Sequence, residues 1–368
     1  MKVLVTGADG FIGRNLIATL AEHAQVEVLP FTRKDDASVL RAHAKEADFI
    51  FHLAGVNRPK DVNEFQTGNA DLTQLLCDTL HDLHSKAPVL YTSSTQADAD
   101  NPYGASKLKA EQLLQAFAES NGSLIHIFRL PNVFGKWARP NYNSAVATFC
   151  HNIARDLPIQ INDPAAIVNL VYIDDVVAKF IDVMQGLDAS TPLVDVQPVY
   201  QTTVGDLAEK LYAFRNSRDT LTIDSVGTGF TRALYSTYVS YLPPESFAYS
   251  VPMHGDSRGV FVEMLKTRDS GQFSFFTAHP GITRGGHYHH TKTEKFLVIK
   301  GKARFRFRHI VEGTYHELFT SGQNPVVVET VPGWTHDITN VGDDEMVVML
   351  WANEIFDRER PDTYSCPL

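Results

Sequence analysis

The 368-residue sequence has few cysteines, no excess of basic residues and no long apolar run. Its three cysteines, Cys77, Cys150 and Cys366, are odd in number and widely separated, which excludes a disulfide framework and favours a reducing compartment. Lysine and arginine number 33 against 43 acidic residues, so the net charge is -10 and no polybasic surface for nucleic acid or an anionic membrane is expected. No apolar run approaches membrane-spanning length. With no signal peptide before the first apolar run, these absences predict a soluble cytoplasmic protein.

Short apolar runs alternate with amphipathic stretches up to about residue 185. The runs predict buried strands at Val3–Val5, Val26–Leu29, Phe49–Leu53, Val89–Tyr91 and Ile125–Leu130. The amphipathic stretches predict helices at Asn15–Glu22, Asp71–His84, Ser106–Glu119 and Ala145–Arg155. This alternation is typical of a Rossmann-like, doubly wound α/β fold with a parallel sheet covered on both faces.

The pattern changes in the second half of the chain. Helices are predicted at Val204–Phe214 and Gly229–Tyr241, and Pro243-Pro244 then interrupts the chain. From Phe247 onward apolar residues alternate with polar ones between Gly or Pro turns, which predicts an antiparallel sheet or barrel. We therefore expect two domains, residues 1–243 and 247–368.

A glycine-rich turn joins the first predicted strand to the first helix. Gly7 and Gly10 permit a tight turn and the close approach of a pyrophosphate, and Gly13 permits close helix packing. The phosphates would meet the positive end of the helix, where Phe11 and Ile12 lie. The position after the first strand favours a dinucleotide site over a turn without a ligand.

The end of the second strand indicates which dinucleotide is bound. Arg33 and Lys34 follow it, and no acidic residue stands there to receive a ribose 2′-hydroxyl. A basic pair suits the 2′-phosphate of NADP, although it could also be an ordinary solvated pair. NADPH is therefore the expected cofactor.

Tyr103 and Lys107 predict the chemistry of this half. The i, i+4 spacing puts them on one face of a helix, where an ammonium would favour the phenolate and make Tyr103 a proton donor or acceptor. The hydroxyls of Ser93, Ser94 and Thr95 end the preceding strand at the edge where ligands bind, and one of them could polarise a carbonyl. The residues leave open which one does so.

Residues 1 to about 240 resemble an extended short-chain dehydrogenase/reductase acting on nucleotide sugars. The matching segments are Thr6–Gly13, His52–Gly55, Tyr103–Lys107, Arg129–Gly135 and Tyr172–Val176. The resemblance implies that Tyr103 is the acid/base, that Lys107 binds the nicotinamide ribose and that Ser94 orients the keto group. It also implies further contacts, with the cofactor at Leu53 and Ala54 and with the sugar nucleotide at Arg129 and Asn132. Only eight residues separate Ser94 from Tyr103, fewer than in many relatives, so the choice of hydroxyl stays open.

A second cluster of chemical groups lies near residue 290. His287 and His289 alternate on one predicted strand and so point into one cavity, Glu294 can return on the neighbouring strand, and His336 follows later. Three imidazoles and a carboxylate could hold a divalent metal or act as bases. The alternative is a set of histidines packed in a dry barrel.

The last 120 residues resemble a cupin, with one motif at Gly281, His287, His289, Glu294 and Gly301 and part of a second at Pro332-Gly333, His336 and Asn340. This implies a metal held by His287, His289, Glu294 and His336, for which zinc suits the donors and iron, nickel or manganese are alternatives.

Arg284-Gly-Gly-His287 is also similar to a motif of metal-free deoxysugar 3,5-epimerases. That similarity implies His287 as base and Arg284 as a diphosphate contact, with His290 in reserve for either role. The electrophile would be a metal or one of Lys292, Lys295 and Lys300, and for Lys292 and Lys295 we favour solvated strand charges.

End to end, the sequence resembles the bifunctional capsule and O-antigen enzymes of the CapF type. This implies C3 epimerisation of a UDP-2-acetamido-2,6-dideoxy-4-keto-hexose by the cupin and NADPH-dependent C4 reduction by the first domain. The product would be a UDP-N-acetyl-6-deoxy-talosamine for N-acetyl-L-fucosamine synthesis. A reductase with a structural metal-binding cupin and a non-catalytic NADP(H) sensor are the alternatives. The resembling families imply a homodimer or a higher even assembly.

Overall fold

The computed structural model describes residues 1–187, 192–252, 254–256, 259–261, 264–267, 271–354 and 359–368. It divides into two compact units, residues 1–144 with 167–202 and residues 145–166 with 203–368. The second unit begins upstream of residue 243 because the helices before that position pack with the strands after it. The boundary at 243–246, as a division between two folds, stays a prediction.

The first unit contains a five-stranded parallel sheet in the order β2-β1-β3-β4-β5, as the alternation predicts. With elements numbered along the whole chain, its strands are β1 (Lys2–Thr6), β2 (Glu27–Phe31), β3 (Phe49–His52), β4 (Val89–Ser94) and β5 (Ile125–Leu130). Its helices are α1 (Phe11–Leu20), α2 (Ala37–Glu46), α3 (Asn63–Phe65), α4 (Leu72–Asp82), α5 (Pro102–Asn121) and α7 (Ile173–Met184). A second, three-stranded sheet contains β6 (Asn132–Phe134), β7 (Ile167–Tyr172) and β8 (Val199–Thr203).

Local sequence fixes where α5 begins. The Asn101 side chain accepts a hydrogen bond from the Gly104 amide at 2.9 Å, and Pro102 occupies the first turn, where its missing N–H costs nothing. Gly122, in the left-handed conformation with φ +73°, ends the helix. Tyr103 is thereby held in the first turn of α5, close to the end of β4.

The second unit is built on two five-stranded sheets of a jelly-roll barrel, in the orders β10-β19-β16-β21-β14 and β18-β17-β20-β15-β22. Its strands are β9 (Thr222–Ile223), β10 (Ala248–Ser250), β11 (His254–Asp256), β12 (Gly259–Phe261), β13 (Lys266–Thr267), β14 (Gln272–Ala278), β15 (Thr283–Tyr288), β16 (Glu294–Lys300), β17 (Lys302–His309), β18 (Tyr315–Ser321), β19 (Val326–Glu329), β20 (Trp334–Asn340), β21 (Met346–Ala352) and β22 (Tyr364–Ser365). Its helices are α6 (Ala145–Ile153), α8 (Val204–Thr220) and α9 (Gly229–Ser240).

The barrel interior follows from the alternation in β17. Ala303, Phe305 and Phe307 are buried, and Phe305 and Phe307 lie opposite Ile338 and His336 of β20. The arginines between them face the other way, and Arg306 pairs with Asp337.

The prediction that Lys292 and Lys295 are solvated is wrong, since they are 6% and 2% exposed. Lys295 pairs with Glu329, which also binds Arg218 of α8. Helices of the same unit cover this outer sheet face, so a strand position that points away from the barrel interior is still buried.

Within the described residues, no helix is both long and apolar enough to cross a membrane.

Candidate active sites

The glycine-rich turn lies between β1 and α1 as expected. Gly7 has φ +70°, and a side chain there would come within 2.8 Å of the Ala54 backbone. A Cβ at Gly13 would lie 2.2 Å from the Gly7 carbonyl oxygen, so this position requires glycine. The first amides of α1, those of Phe11 and Ile12 included, point out of the helix start, where a pyrophosphate can accept from them. These residues fit a dinucleotide.

The predicted 2′-phosphate contacts follow the end of β2. Arg33 and Lys34 are exposed, which leaves both cations accessible to an anion. Asp35, the first acidic residue after this basic pair, accepts hydrogen bonds from the Thr32 amide at 2.7 Å and the Thr32 hydroxyl at 2.8 Å. That carboxylate is therefore engaged in its own turn.

The loop after β3 brings the dinucleotide turn and α5 together. The buried His52 ring bridges the Thr6 hydroxyl at 2.8 Å and the Thr73 hydroxyl at 2.9 Å. Burial, assisted by Lys107, lowers the pKa of His52 to about 3, so this imidazole stays neutral. A Cβ at Gly55 would lie 3.1 Å from Lys107 Nζ. Leu53 and Ala54, the predicted cofactor contacts, are partly exposed in this loop.

Tyr103 and Ser94 meet at the carboxyl end of β4. Burial raises the pKa of the Tyr103 phenol, and a hydrogen bond with Ser94 opposes that rise. A raised pKa keeps the phenol protonated at neutral pH, the form needed to donate a proton. The neighbouring Ser93 hydroxyl instead donates to the Glu111 carboxylate. Of the hydroxyls left open by the sequence, the structure brings Ser94 to Tyr103.

Lys107 lies one turn along α5 but does not act on Tyr103 as expected. Its ammonium donates to the Thr92 carbonyl oxygen at 2.9 Å and lies 5.0 Å from the centroid of the Tyr91 ring. Burial lowers the pKa of Lys107 to about 8, against the opposing influence of Glu111. The expectation that a nearby ammonium lowers the phenol pKa is therefore wrong here, because burial of Tyr103 dominates.

The predicted sugar-nucleotide contacts differ in their surroundings. The Arg129 guanidinium is held by Glu111 and Asp98, each at 2.7 Å, so its nitrogens are already engaged within the protein. Asn132 is exposed at the start of β6. Substrate contacts at both positions stay predictions. Glu111, only 2% exposed, is a feature of this site that sequence reasoning missed, although its i+4 spacing from Lys107 is visible in the sequence.

The predicted metal ligands converge in the barrel. One donor atom from each of His287, His289, Glu294 and His336 lies within 4.8 Å of all the others. His289 Nε2 is 3.1 Å and His336 Nε2 is 3.6 Å from the same Glu294 oxygen. His336 lies opposite His287 in the β15–β20 register.

The protonation of these groups suits a cation. Burial, then the neighbouring His336 and His289, lowers the pKa of His287 to about 3, so the imidazole is neutral with a free lone pair. Although burial alone raises it, the pKa of Glu294 is held well below its usual range by His289 and His336. His336 Nε2 is buried with no hydrogen-bond partner among the described residues. Three imidazoles and one carboxylate aimed at a common point therefore fit a divalent ion.

The outward-facing ring nitrogens are also bound. His289 Nδ1 lies 2.6 Å from the Asp362 carbonyl oxygen, and His336 Nδ1 lies 3.5 Å from that of Trp334. Such contacts orient an imidazole so that its other nitrogen faces the ion. Asp362 lies 73 residues after His289 and belongs to no motif, so sequence reasoning missed it.

The remaining cupin candidates differ in their surroundings. Lys292 Nζ lies 3.8 Å from Glu294 Oε1 and donates to Thr363 Oγ1 at 2.9 Å. His290 is buried with its ring 5.5 Å from that of Tyr288. Arg284 is exposed, with its guanidinium carbon 5.2 Å from the Phe276 ring centroid.

Comparison with known proteins matches a different family model to each half of the sequence. Residues 3–194 match the model of the NAD dependent epimerase/dehydratase family, and residues 254–364 match the polysaccharide biosynthesis C-terminal domain. The chain is 64% identical over 366 residues to a UDP-2-acetamido-2,6-beta-L-arabino-hexul-4-ose reductase of Pseudomonas aeruginosa, covering 100% of this chain and 98% of the relative.

Solved structures agree with this assignment. The capsular polysaccharide assembling protein CapF from Staphylococcus aureus is 42% identical, covers 100% of both chains and superposes with a TM-score of 0.69. UDP-glucuronic acid 4-epimerase from Bacillus cereus, solved with NAD, is 22% identical over 57% of this chain and 82% of its own, with a TM-score of 0.51, and shows the fold alone. The chain therefore belongs to the NAD dependent epimerase/dehydratase family, among its CapF-type members.

Proposed function

We propose that the protein epimerises C3 of a UDP-2-acetamido-2,6-dideoxy-4-keto-hexose in its barrel and reduces C4 with NADPH in its first unit. The product is a UDP-N-acetyl-6-deoxy-talosamine for capsule or O-antigen synthesis. The observation that carries the reductase half is the meeting of Tyr103 and Ser94 at the sheet edge, beside the dinucleotide turn. The 64% identical relative, named a reductase of a UDP-linked hexul-4-ose, supports the substrate class.

In the reductase unit the nicotinamide supplies the hydride to C4 when it is bound. Ser94 donates a hydrogen bond to the C4 carbonyl oxygen and orients it, and Tyr103 donates its phenolic proton to that oxygen as the alcohol forms. Lys107 holds the nicotinamide ribose, for which its place beside Gly55 is suited. Arg33 and Lys34 bind the 2′-phosphate, which selects NADPH over NADH.

In the barrel a base removes the C3 proton and the proton returns from the opposite face. The keto group that acidifies C3–H is the one that the first unit then reduces, so one intermediate serves both steps. The four converging donors favour a ligand role for His287, with zinc as the ion they suit. The ion supplies a positive charge in the pocket when it is bound. Arg284 binds the diphosphate in this proposal, and its exposure on β15 leaves its charge accessible to an anion.

The test separates the two activities with one substitution. Tyr103→Phe should abolish NADPH oxidation, a loss of at least 10²-fold, and spare the incorporation of solvent deuterium at C3 measured without NADPH. Tyr212→Phe, at an exposed position of α8, is the matched control and should change neither rate. Loss of both activities in Tyr103→Phe would contradict the two-site proposal.

The two alternatives give different results in the same assays. A reductase with a purely structural metal barrel would oxidise NADPH with the 4-keto sugar but show no C3 exchange in its absence. A non-catalytic NADP(H) sensor would bind the nucleotide and show neither activity. We also propose a homodimer, which sedimentation of the purified protein would test.

A further inference from the structure

The Asp362 carboxylate accepts four hydrogen bonds from the ligand loop, residues 289–293, which contains the predicted ligand His289. Its Oδ1 accepts from the His290 amide at 3.0 Å, and its Oδ2 accepts from the amides of Thr291 and Lys292 at 2.9 and 2.7 Å. The Thr291 hydroxyl donates to the same Oδ2 at 3.0 Å. One carboxylate thus binds three successive amides.

This loop links two of the strands that carry the converging donors, and His289 lies in the loop itself. His287 lies on β15, Glu294 begins β16, and residues 289–293 join them. Any slack in the loop changes the distance from His289 to Glu294. Fixing three of its amides to one carboxylate removes that freedom before an ion arrives.

The backbone of Asp362 acts on a predicted ligand directly. Its carbonyl oxygen lies 2.6 Å from His289 Nδ1, and an oxygen acceptor there requires that Nδ1 carries the proton. Without an ion, Nε2 shares a proton with Glu294 Oε2, 3.1 Å away; with an ion bound, Nε2 would be the nitrogen whose lone pair faces it. Asp362 has φ +39°, a conformation that directs its side chain and its carbonyl to the same loop.

Neighbouring residues hold Asp362 in place. Tyr364 and Ser365 form β22, which pairs with Tyr288 and His287 of β15, and the Cys366 amide donates to the Gly286 carbonyl oxygen at 2.8 Å. Residues 362–366 therefore form a brace along β15. Asp362 is the residue of this brace that contacts the 289–293 loop.

We propose that Asp362 is a positioning residue of the metal centre, which fixes the 289–293 loop through its carboxylate and the His289 tautomer through its carbonyl. This inference rests on the metal centre of the proposed function. It adds Asp362 as the residue that orders the pocket before an ion binds. Outer contacts of this kind typically contribute 10–100-fold to metal affinity.

The experiment measures zinc affinity of the purified full chain by competition with a chromogenic chelator. Asp362→Asn keeps the size of the side chain but replaces one acceptor with an amide donor, and Asp362→Ala removes both acceptors. Asp343→Asn, the same change on an exposed loop, is the control. We expect roughly 10–100-fold weaker binding for Asp362→Ala, a smaller loss for Asp362→Asn and none for Asp343→Asn.

Two further readouts separate positioning from general stability. The visible spectrum of the Co²⁺ form should change in the Asp362 variants, because it reports the geometry of the bound ion, whereas circular dichroism of the apo forms reports folding. Lower apo stability with unchanged zinc affinity and unchanged Co²⁺ spectrum would overturn the proposal. If Asp362→Ala does not fold, the Asp362→Asn affinity decides. Wild-type protein that binds no zinc would overturn the metal centre itself, which is a separate result.

Discussion

Lys107 in the first unit and Lys295 in the second are both buried, at 6% and 2% exposure, yet their pKa values move in opposite directions. Burial lowers the pKa of Lys107 to about 8, where its hydrogen bond goes to the neutral Thr92 carbonyl. Burial also acts against the charge of Lys295, but adjacent Glu329 reverses the shift and raises its pKa. Lys107 can therefore lose its proton at moderately alkaline pH, whereas the Glu329 carboxylate keeps Lys295 protonated.

The largest effect is expected when the Lys107 ammonium is removed. Lys107→Met should lower the turnover of NADPH with the 4-keto sugar by roughly 10²–10³-fold, because the charged donor that we propose for the nicotinamide ribose is lost. The free energy of unfolding should not fall, since burying this ammonium is unfavourable. Lys109→Met, at an exposed position of α5, is the control. A large loss of stability with turnover retained in the folded fraction would reverse the assignment.

The second prediction concerns the barrel wall. Lys295→Met should lower the free energy of unfolding by about 3 kcal/mol, because it removes one partner of a buried ion pair and leaves Glu329 with only Arg218 and the Tyr235 hydroxyl. Turnover per folded molecule should stay near that of the wild type. Urea unfolding measures the first quantity, and Lys300→Met, exposed on the same strand, is the control. An unchanged unfolding midpoint would show that the pair does not stabilise the unit.

The third prediction follows the two lysines with pH in the protein without nucleotide. The folded pKa of Lys107 lies below the unfolded value of 10.5, so its unfavourable contribution is complete below pH 8 and is relieved between pH 8 and 10.5. The difference in unfolding free energy between wild type and Lys107→Met should therefore change in favour of wild type by roughly 3 kcal/mol over that range.

For Lys295 the folded pKa lies above the unfolded one, so its stabilisation is fully present below 10.5 and is lost only at higher pH. The corresponding difference for Lys295→Met should stay flat up to pH 10.5. If the unfolding free energies of both variants changed with pH in the same way relative to wild type, the opposite pKa shifts of Lys107 and Lys295 would be contradicted.

The smallest effect expected on turnover is the pH shift caused by Glu111→Gln. Glu111 raises the pKa of Lys107 against burial, so its neutralisation should lower that pKa further. The decline of NADPH turnover at alkaline pH, which we assign to loss of the Lys107 charge, should move to lower pH. Glu119→Gln, exposed on the same helix, should leave the profile in place. A shift to higher pH would contradict the electrostatic role of Glu111.

Sequence alone predicts the parts of both sites that short-range patterns specify. The i, i+4 spacing places Tyr103 and Lys107 on one face of α5. His287 and His289 converge as predicted, although His289 lies just past the end of β15. All five predicted strands of the parallel sheet are present, with β5 at its predicted bounds, Ile125–Leu130. Helix α2 was not predicted, because its mixed polar sequence is held by the Asp36 cap rather than by a strong apolar stripe.

Long-range contacts account for what sequence reasoning missed. The alternation of its strand predicts a solvated Lys295, but α8, α9 and the Tyr249 ring pack against that face and bury it. The direction of the Lys107 ammonium depends on Thr92, which no spacing rule relates to it. Asp362 reaches the ligand loop across 73 positions, a distance at which a single sequence carries no pattern.

The dependence of the ligand loop on Asp362 also sets an order of events during synthesis. Every residue of the first unit lies before position 203, so that unit can fold while the barrel is still being translated, as domains commonly do. The loop that carries His289 is made soon after, but it has no brace until residue 362 has been added. For the proposed metal centre, capture at full affinity would consequently be a late step in the life of each chain, after the first unit has been completed.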